Sequence, residues 1–270
     1  MILQKIYHRL TSPCFPRKLR HFAGRIFSGS QATAVPVAGL DELNPRQLLL
    51  ILAHPDDEIF CSGLVCDCVA REAAVSLLCL SSGEGGITGG HPREQLGAIR
   101  RDELRDAAAK LGISSVEFLG YIDPLGTRYR TYPPAHDPAE LRAQVRQAVR
   151  QSGADTVVTH GSDGEYWHPA HFVLHDTVRE VLRDPGFGGI RLLTINAWNP
   201  AHPLPKILNR SDPAQLAIDG AGHRNKRLAA LRCHASQSCY FEQTSPGGLE
   251  GFIDATAQER YRLWDDSPFR

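Results

Sequence analysis

The sequence predicts an α/β domain: a mostly parallel sheet with helices on both faces. Three observations point there. Short apolar runs alternate with segments of helical period from Leu48 onward. The first run, Leu48 to Ala53, is apolar without a break, as a strand buried on both faces must be. The least ordinary residues follow the ends of these runs, at the carboxyl edge where open α/β sheets bind ligands.

Taken in order, Leu48–Ala53 is the first strand and Ile59–Arg71 the helix after it. Ala74–Leu80 is the second strand. Ser81–Pro92 holds five glycines and reads as a loop, either a mobile surface segment or a lid over substrate. Leu104, Ala107, Ala108 and Leu111 have helical spacing, with Gly112 as a C-cap. Val116–Leu119 is a third strand, and Leu141, Val145, Ala148 and Val149 mark another helix. Thr156–Thr159 is a fourth strand. Leu174, Val178, Val181 and Leu182 mark its helix, and Ile190–Ala197 is a fifth strand. The Pro-rich stretch Trp198–Leu208 reads as a rim loop. Helices are expected over Asn225–Cys233 and Thr256–Leu263.

The 270 residues suit one large domain, and a hydrophobic fraction of 42% is enough for a full core. Zero formal charge gives no general attraction to nucleic acid. Seven cysteines without a CxxC pair, mostly in apolar surroundings, read as reduced buried thiols of a cytoplasmic protein. No segment has the length of a membrane span, and the N-terminus lacks the apolar core of a signal peptide. Residues 1–45 form a basic extension and a linker, and residues 46–270 the domain. Lys5, Arg9, Arg17, Lys18, Arg20 and Arg25 alternate with apolar residues and precede any acid. Such an arm has two readings: a segment packed on the domain, or peripheral contact with anionic lipid through residues 1–30.

The chemistry concentrates in two clusters. His54-Pro55-Asp56-Asp57-Glu58 ends the first strand, and His168-Pro169-Ala170-His171 follows the fourth. A His and a carboxylate three residues apart can both face inward from a tight turn, and imidazole nitrogen with carboxylate oxygen suits zinc. Asp57 as an N-cap is the plain structural alternative. Pro169 suits a first helical position, which puts His168 and His171 on one face. A His171/His175 pair competes with that set. Three protein ligands with an open position is the catalytic zinc arrangement, and Asp56 is the carboxylate left beside the water as general base.

These residues resemble the LmbE-like, or PIG-L, family of zinc-dependent N-deacetylases. The resemblance extends to Ser82-Gly83-Glu84-Gly85, Arg101-Asp102-Glu103-Leu104, Leu119-Gly120 with Asp123, and Lys226 with His234-Ala235-Ser236-Gln237. It implies a Rossmann-like three-layer sandwich, with His54, Asp57 and His171 as zinc ligands and Asp56 as base. It implies a charged His168 that stabilises the oxyanion and protonates the leaving amine. It further implies an Asp123 that orients His168, a Tyr166 that donates to the oxyanion, and an Arg101 on the sugar or its attached group. Trp167 stands where the family commonly has Gly and offers a ring to stack on a sugar; Ala170 stands where Asp is frequent.

The expected reaction is removal of an N-acetyl group from an N-acetylglucosaminyl-type conjugate, a small-molecule substrate, with Zn2+ or another divalent transition metal. A zinc amidase acting on a non-sugar amide is the second reading. A non-catalytic Rossmann-like binding module is the third, weakened because the glycines at 83, 85, 86, 89 and 90 lack GxGxxG spacing after the first strand.

Overall fold

The computed structural model describes residues 40–127 and 131–264. The basic arm and nearly all of the linker lie outside the described residues. The domain body starts at a helical turn, Leu40–Leu43, whose two leucines are buried in the core.

The strands are β1 (Gln47–Leu52), β2 (Ala74–Ser81), β3 (Ser115–Tyr121), β4 (Thr156–Thr159), β5 (Arg191–Thr194), β6 (Ala197–Trp198), β7 (Asn209–Pro213), β8 (Leu216–Asp219) and β9 (Gln258–Trp264). The main helices are α1 (Ser62–Ala70), α2 (Leu96–Leu111), α3 (Pro138–Ser152), α4 (Pro169–Leu182), α5 (Arg224–Cys233), α6 (Ser238–Thr244) and α7 (Gly248–Ala255). Seven strands form one sheet in the order β3-β2-β1-β4-β5-β9-β8. Its first five strands are parallel, while β9 pairs antiparallel with both β5 and β8.

The unbroken apolar run of β1 has the structural consequence its pattern requires. Leu48, Leu50 and Leu52 face one core with Leu64 of α1, Leu104 and Leu111 of α2, Leu228 of α5 and Phe252 of α7. Leu49, Ile51 and Ala53 face the other, with Leu141 and Val145 of α3 and Leu174 and Val178 of α4. Gly112 ends α2 at φ 90°, the left-handed conformation a glycine C-cap supplies. Cys61, Cys66, Cys68 and Cys79 are buried free thiols, whereas Cys239 is exposed.

Two elements differ from expectation. Thr256–Leu263 is not a helix: residues from Gln258 form β9. Its inward residues alternate, Glu259 and Tyr261 being buried between exposed or half-exposed neighbours, and that period belongs to a strand. Ile190–Ala197 is broken in two because Asn196 adopts φ 51°, which splits β5 from β6.

The parallel topology brings the ends of β1, β2, β3 and β4 to one edge. There His54, the 81–92 loop, Asp123 and the 160–168 segment meet.

Candidate metal centre

The turn after β1 is pinned by its own side chains. His54 N–H donates to Asp57 Oδ2 at 2.8 Å, and Asp56 N–H donates to Glu58 Oε2 at 3.0 Å. Asp56 itself sits at φ 98°, a conformation costly for a non-glycine residue. Across the edge, His168 N-caps α4 in extended backbone, as the residue before Pro169 should, and His171 enters on the first turn.

His54 Nδ1 lies 3.1 Å from His171 Nε2 and 3.3 Å from Asp57 Oδ2, and His171 Nε2 lies 3.5 Å from Asp57 Oδ1. A tetrahedral ion with bonds of roughly 2.0–2.1 Å has donor–donor edges of about 3.3 Å. The two imidazole nitrogens thus stand at about that spacing from each other and from the Asp57 carboxylate, His54 facing one of its oxygens and His171 the other. All three are buried, and His168 Nδ1 beside them is a buried polar atom without a hydrogen-bond partner. The residues present fit a divalent cation.

Two overlapping groups also come within ligand reach, His54–His168–His171 and Asp57–His160–His171. His160 is set aside by its hydrogen bonds. Burial opposes a charge on its ring, while Glu165 and Asp57 favour one. Ala53 N–H points at Nε2 from 2.9 Å and Glu165 Oε2 lies 3.2 Å from Nδ1, so both ring nitrogens are already engaged by the protein. His175 is likewise committed: its Nδ1 lies 2.8 Å from the His160 carbonyl and its ring packs on Trp264. The competing His171/His175 pair is not brought together.

Glu165 orients the His171 imidazole. Its Oε2 faces His171 Nδ1 and lies 3.2 Å from His160 Nδ1, while Oε1 accepts from Gly161 N–H and Asn209 Nδ2 at 3.0 Å. Burial works against its charge, but His160 and the bonds from both imidazoles hold its carboxyl well below the usual range. A proton fixed on His171 Nδ1 leaves Nε2 free for a metal. Burial also resists ionisation of Asp57, and His171 and His160 overcome it.

Asp56 lies beside the three donors. Arg100 Nη2 donates to its Oδ2 at 2.9 Å, and the same guanidinium donates to the Gly83 and Pro55 carbonyls. Burial raises the Asp56 carboxyl to about 6 even against Arg100, near where a general base works best. Gly83 is needed for this clamp: at φ 70°, a Cβ there would stand 2.0 Å from Arg100 Nη1. That contact, and the packing of Gly85 on Asp123 and Pro124, make this half of the loop a wall of the site.

Three comparisons with known proteins agree with this geometry. The family model described as PIG-L, GlcNAc-PI de-N-acetylase, matches residues 49–182, the segment from β1 through α4 that holds all three donors. A probable N-acetyl-alpha-D-glucosaminyl L-malate deacetylase 2 of Bacillus anthracis is 33% identical, covering 72% of this chain and 82% of its own. A 1D-myo-inositol 2-acetamido-2-deoxy-alpha-D-glucopyranoside deacetylase of Geodermatophilus obscurus is 30% identical over 71% of this chain and 83% of its own. The chain belongs to the PIG-L family.

Among solved structures, the PIG-L domain here is similar to an N,N'-diacetylchitobiose deacetylase from Pyrococcus horikoshii. That match has TM-score 0.59 at 17% identity and covers 94% of this chain and 96% of that one. It is also similar to GalB, the 4-carboxy-2-hydroxymuconate hydratase from Pseudomonas putida, with TM-score 0.57 at 18% identity, covering 80% and 95%. At these identities the likeness speaks for the fold.

Several expected residues occupy other positions. Asp123 Oδ1 lies 3.5 Å from His54 Nε2, so Asp123 is set against His54, where a partner for His168 was expected. Burial, with His54 and His171 beside it, pushes the His168 pKa well below the usual imidazole value, the opposite direction from the charged partner expected. Arg101 is exposed on the outer side of α2, beside Arg105 and Phe118, while its neighbour Arg100 turns into the site. Trp167 is half-buried but is not among the cleft-lining residues; it holds φ 70°. Tyr166 does line the cleft, its ring 5.7 Å from that of His168.

Sequence reasoning missed Arg100, Glu165 and the buried Glu58–His234 pair that backs Asp56. For Glu165 a signal existed in an acid three residues before the HPAH cluster. Gln237, Tyr240 and Phe241, which close the cleft from the far side, gave none beyond the His234–Gln237 match.

Proposed function

We propose that this protein removes the N-acetyl group from an N-acetylglucosaminyl-type conjugate, using zinc or another divalent transition metal held by His54, Asp57 and His171. The observation that carries this reading is the convergence of His54 Nδ1, His171 Nε2 and the Asp57 carboxylate, 3.1, 3.3 and 3.5 Å apart, beside the clamped Asp56. The two relatives named by sequence, both sugar deacetylases by description, support the substrate class. Two imidazoles and a carboxylate suit zinc, and also accept iron or cobalt. Bound there, the ion polarises the amide carbonyl and brings the pKa of a water towards neutrality.

The protein's own groups do the rest. Arg100 holds Asp56 Oδ2, so Asp56 takes the proton of the attacking water through Oδ1. The water oxygen bonds to the amide carbon, the C–N bond breaks, and the proton passes from Asp56 to the nitrogen. Acetate and a free amine leave. His168, beside His54, presents an imidazole to the leaving nitrogen. Tyr166 offers its hydroxyl to the oxyanion at the cleft wall.

The test is acetate release from N-acetylglucosaminides by protein purified with zinc. Asp56→Asn is expected to lower kcat/KM by about a hundredfold or more while keeping bound zinc. His171→Ala is expected to lose both activity and zinc. Wild-type turnover in either variant would overturn these assignments.

A further inference from the structure

The turn that carries Asp56 is tied to a distant helix. Asp56 holds φ 98° and ψ −18°, a left-handed conformation that an aspartate keeps only where its surroundings impose it. Three contacts impose it. Ile59 N–H donates to the Asp56 carbonyl at 3.2 Å, Arg100 donates to the Pro55 carbonyl just before it, and Asp56 N–H donates to Glu58 Oε2 at 3.0 Å. The third contact depends in turn on another side chain. Glu58 Oε1 lies 2.5 Å from Nε2 of His234, the residue that ends α5, 176 positions along the chain.

This pair has no other work. Both residues are fully buried, at 0% exposure, and neither lines the cleft. His234 Nδ1 has no hydrogen-bond partner, so among the described residues the imidazole makes its one bond to Glu58. Packing alone would be served as well by two apolar residues of the same shape, since a buried carboxylate and imidazole must first be stripped of water. What the pair adds is a firm acceptor. A carboxylate holds a backbone N–H more strongly than a neutral oxygen does, and one fixed by an imidazole cannot swing away.

We propose that Glu58 and His234 are positioning residues for the general base: together they hold the Asp56 backbone so that Oδ1 is aimed at the attacking water. The inference rests on the deacetylase reading above. Misplacing a catalytic group by about 1 Å costs on the order of a hundredfold in rate. The double variant Glu58→Leu/His234→Leu exchanges both partners for apolar groups and leaves neither unpaired. Its kcat on an N-acetylglucosaminide is expected to fall about 30- to 100-fold, with KM and bound zinc within about twofold of wild type. Glu58→Gln, whose amide can accept from Asp56 and donate to His234, is expected to keep kcat within about threefold. His234→Gln reaches Glu58, and His234→Asn stops one methylene short, so the first is expected to be about tenfold faster. The Asp56 amide gives a reading without metal or substrate. In metal-stripped protein it is expected to exchange with D2O at least about tenfold faster in the double leucine variant than in wild type or Glu58→Gln.

A folded double variant with wild-type kcat, or a Glu58→Gln as slow as that variant, would overturn the proposal. So would zinc lost in step with kcat, because the pair would then serve Asp57. Should the double variant not fold, equal rates for His234→Gln and His234→Asn would overturn it, and the expected difference would uphold it. If wild type releases no acetate from any N-acetylglucosaminide, the deacetylase reading itself fails, and amide exchange still decides whether the pair holds Asp56.

Discussion

Trp167 carries a large side chain on a backbone suited to glycine. Its φ of 70° is the left-handed region, which costs an ordinary residue roughly 1–2 kcal/mol. The sequence showed the oddity, since Trp stands there in place of a common Gly, but its cause is visible only in the backbone. The cleft is lined by Tyr166 and His168 on either side of it, not by the Trp167 ring. Glycine at most sites is less stable than alanine by roughly 0.5–1 kcal/mol. Here the order should invert: both variants lose the ring, but Trp167→Gly relieves the left-handed cost that Trp167→Ala keeps. The expected difference is about 1 kcal/mol in favour of glycine, read from urea midpoints at equal m-value. Alanine at or above glycine would refute it. The exchange of Arg101 for Arg100 also belongs at this scale. Adjacent residues on a helix point about 100° apart. The apolar stripe of α2 is too short of unambiguous residues to say which arginine lies beside Leu104 and which faces water.

At the level of elements, legibility follows burial on two faces. The runs Leu48–Ala53 and Thr156–Thr159 are apolar or small throughout because helices cover both sides, and each lies within one residue of the observed strand. β8 and β9 form the antiparallel edge, and β9 carries Glu259, Arg260 and Arg262 among its seven residues. That composition hides a strand, because a buried acid there does structural work. Glu259 accepts from Gly63 and Leu64 N–H at 2.6 and 2.9 Å, satisfying the first turn of α1, and Tyr261 hydroxyl donates to it at 2.7 Å. Arg227 of α5 lies fully buried 3.7 Å from Glu259 and donates to Ser62 and to the carbonyls of Ile253 and Thr256. One side chain thus ties α1, α5, α7 and β9 together. Arg227→Met removes the partner of a buried carboxylate and should cost about 3–5 kcal/mol. Chemical denaturation would show this, and a loss below about 1 kcal/mol would mean that the cation is dispensable.

Across the whole molecule, the site depends on a seam between sequence-distant parts. The 160–168 segment brings His160, Glu165 and His168 to the edge, and β7 holds it from outside. Ser162 N–H and hydroxyl both donate to Asp212 at 2.7 Å, and Ser211 N–H and hydroxyl both donate to Asp163 at 2.9 Å. No motif announces this reciprocal clasp, since serine and aspartate pairs are ordinary loop composition until the fold sets them opposite one another. It has a consequence for stability against pH. Burial raises the Asp212 carboxyl from 3.8 to about 6, in spite of the bonds from Ser162. A raised acid pKa means that the folded state holds this proton more tightly than the unfolded chain does. The stabilisation is therefore complete below about pH 4 and disappears as pH rises through about 6, the reverse of a salt-bridged carboxylate. Its ceiling is about 3 kcal/mol at 1.36 kcal/mol for each pKa unit. Asp212→Asn cannot titrate, so every other group cancels when wild type and variant are compared. Unfolding free energies measured from pH 7 to pH 4 should show the wild type gaining on Asp212→Asn by about 2–3 kcal/mol, most of it between pH 6.5 and 4.5. Parallel curves would show that the serine bonds hold Asp212 ionised in the folded protein, and the clasp would then be a charged one.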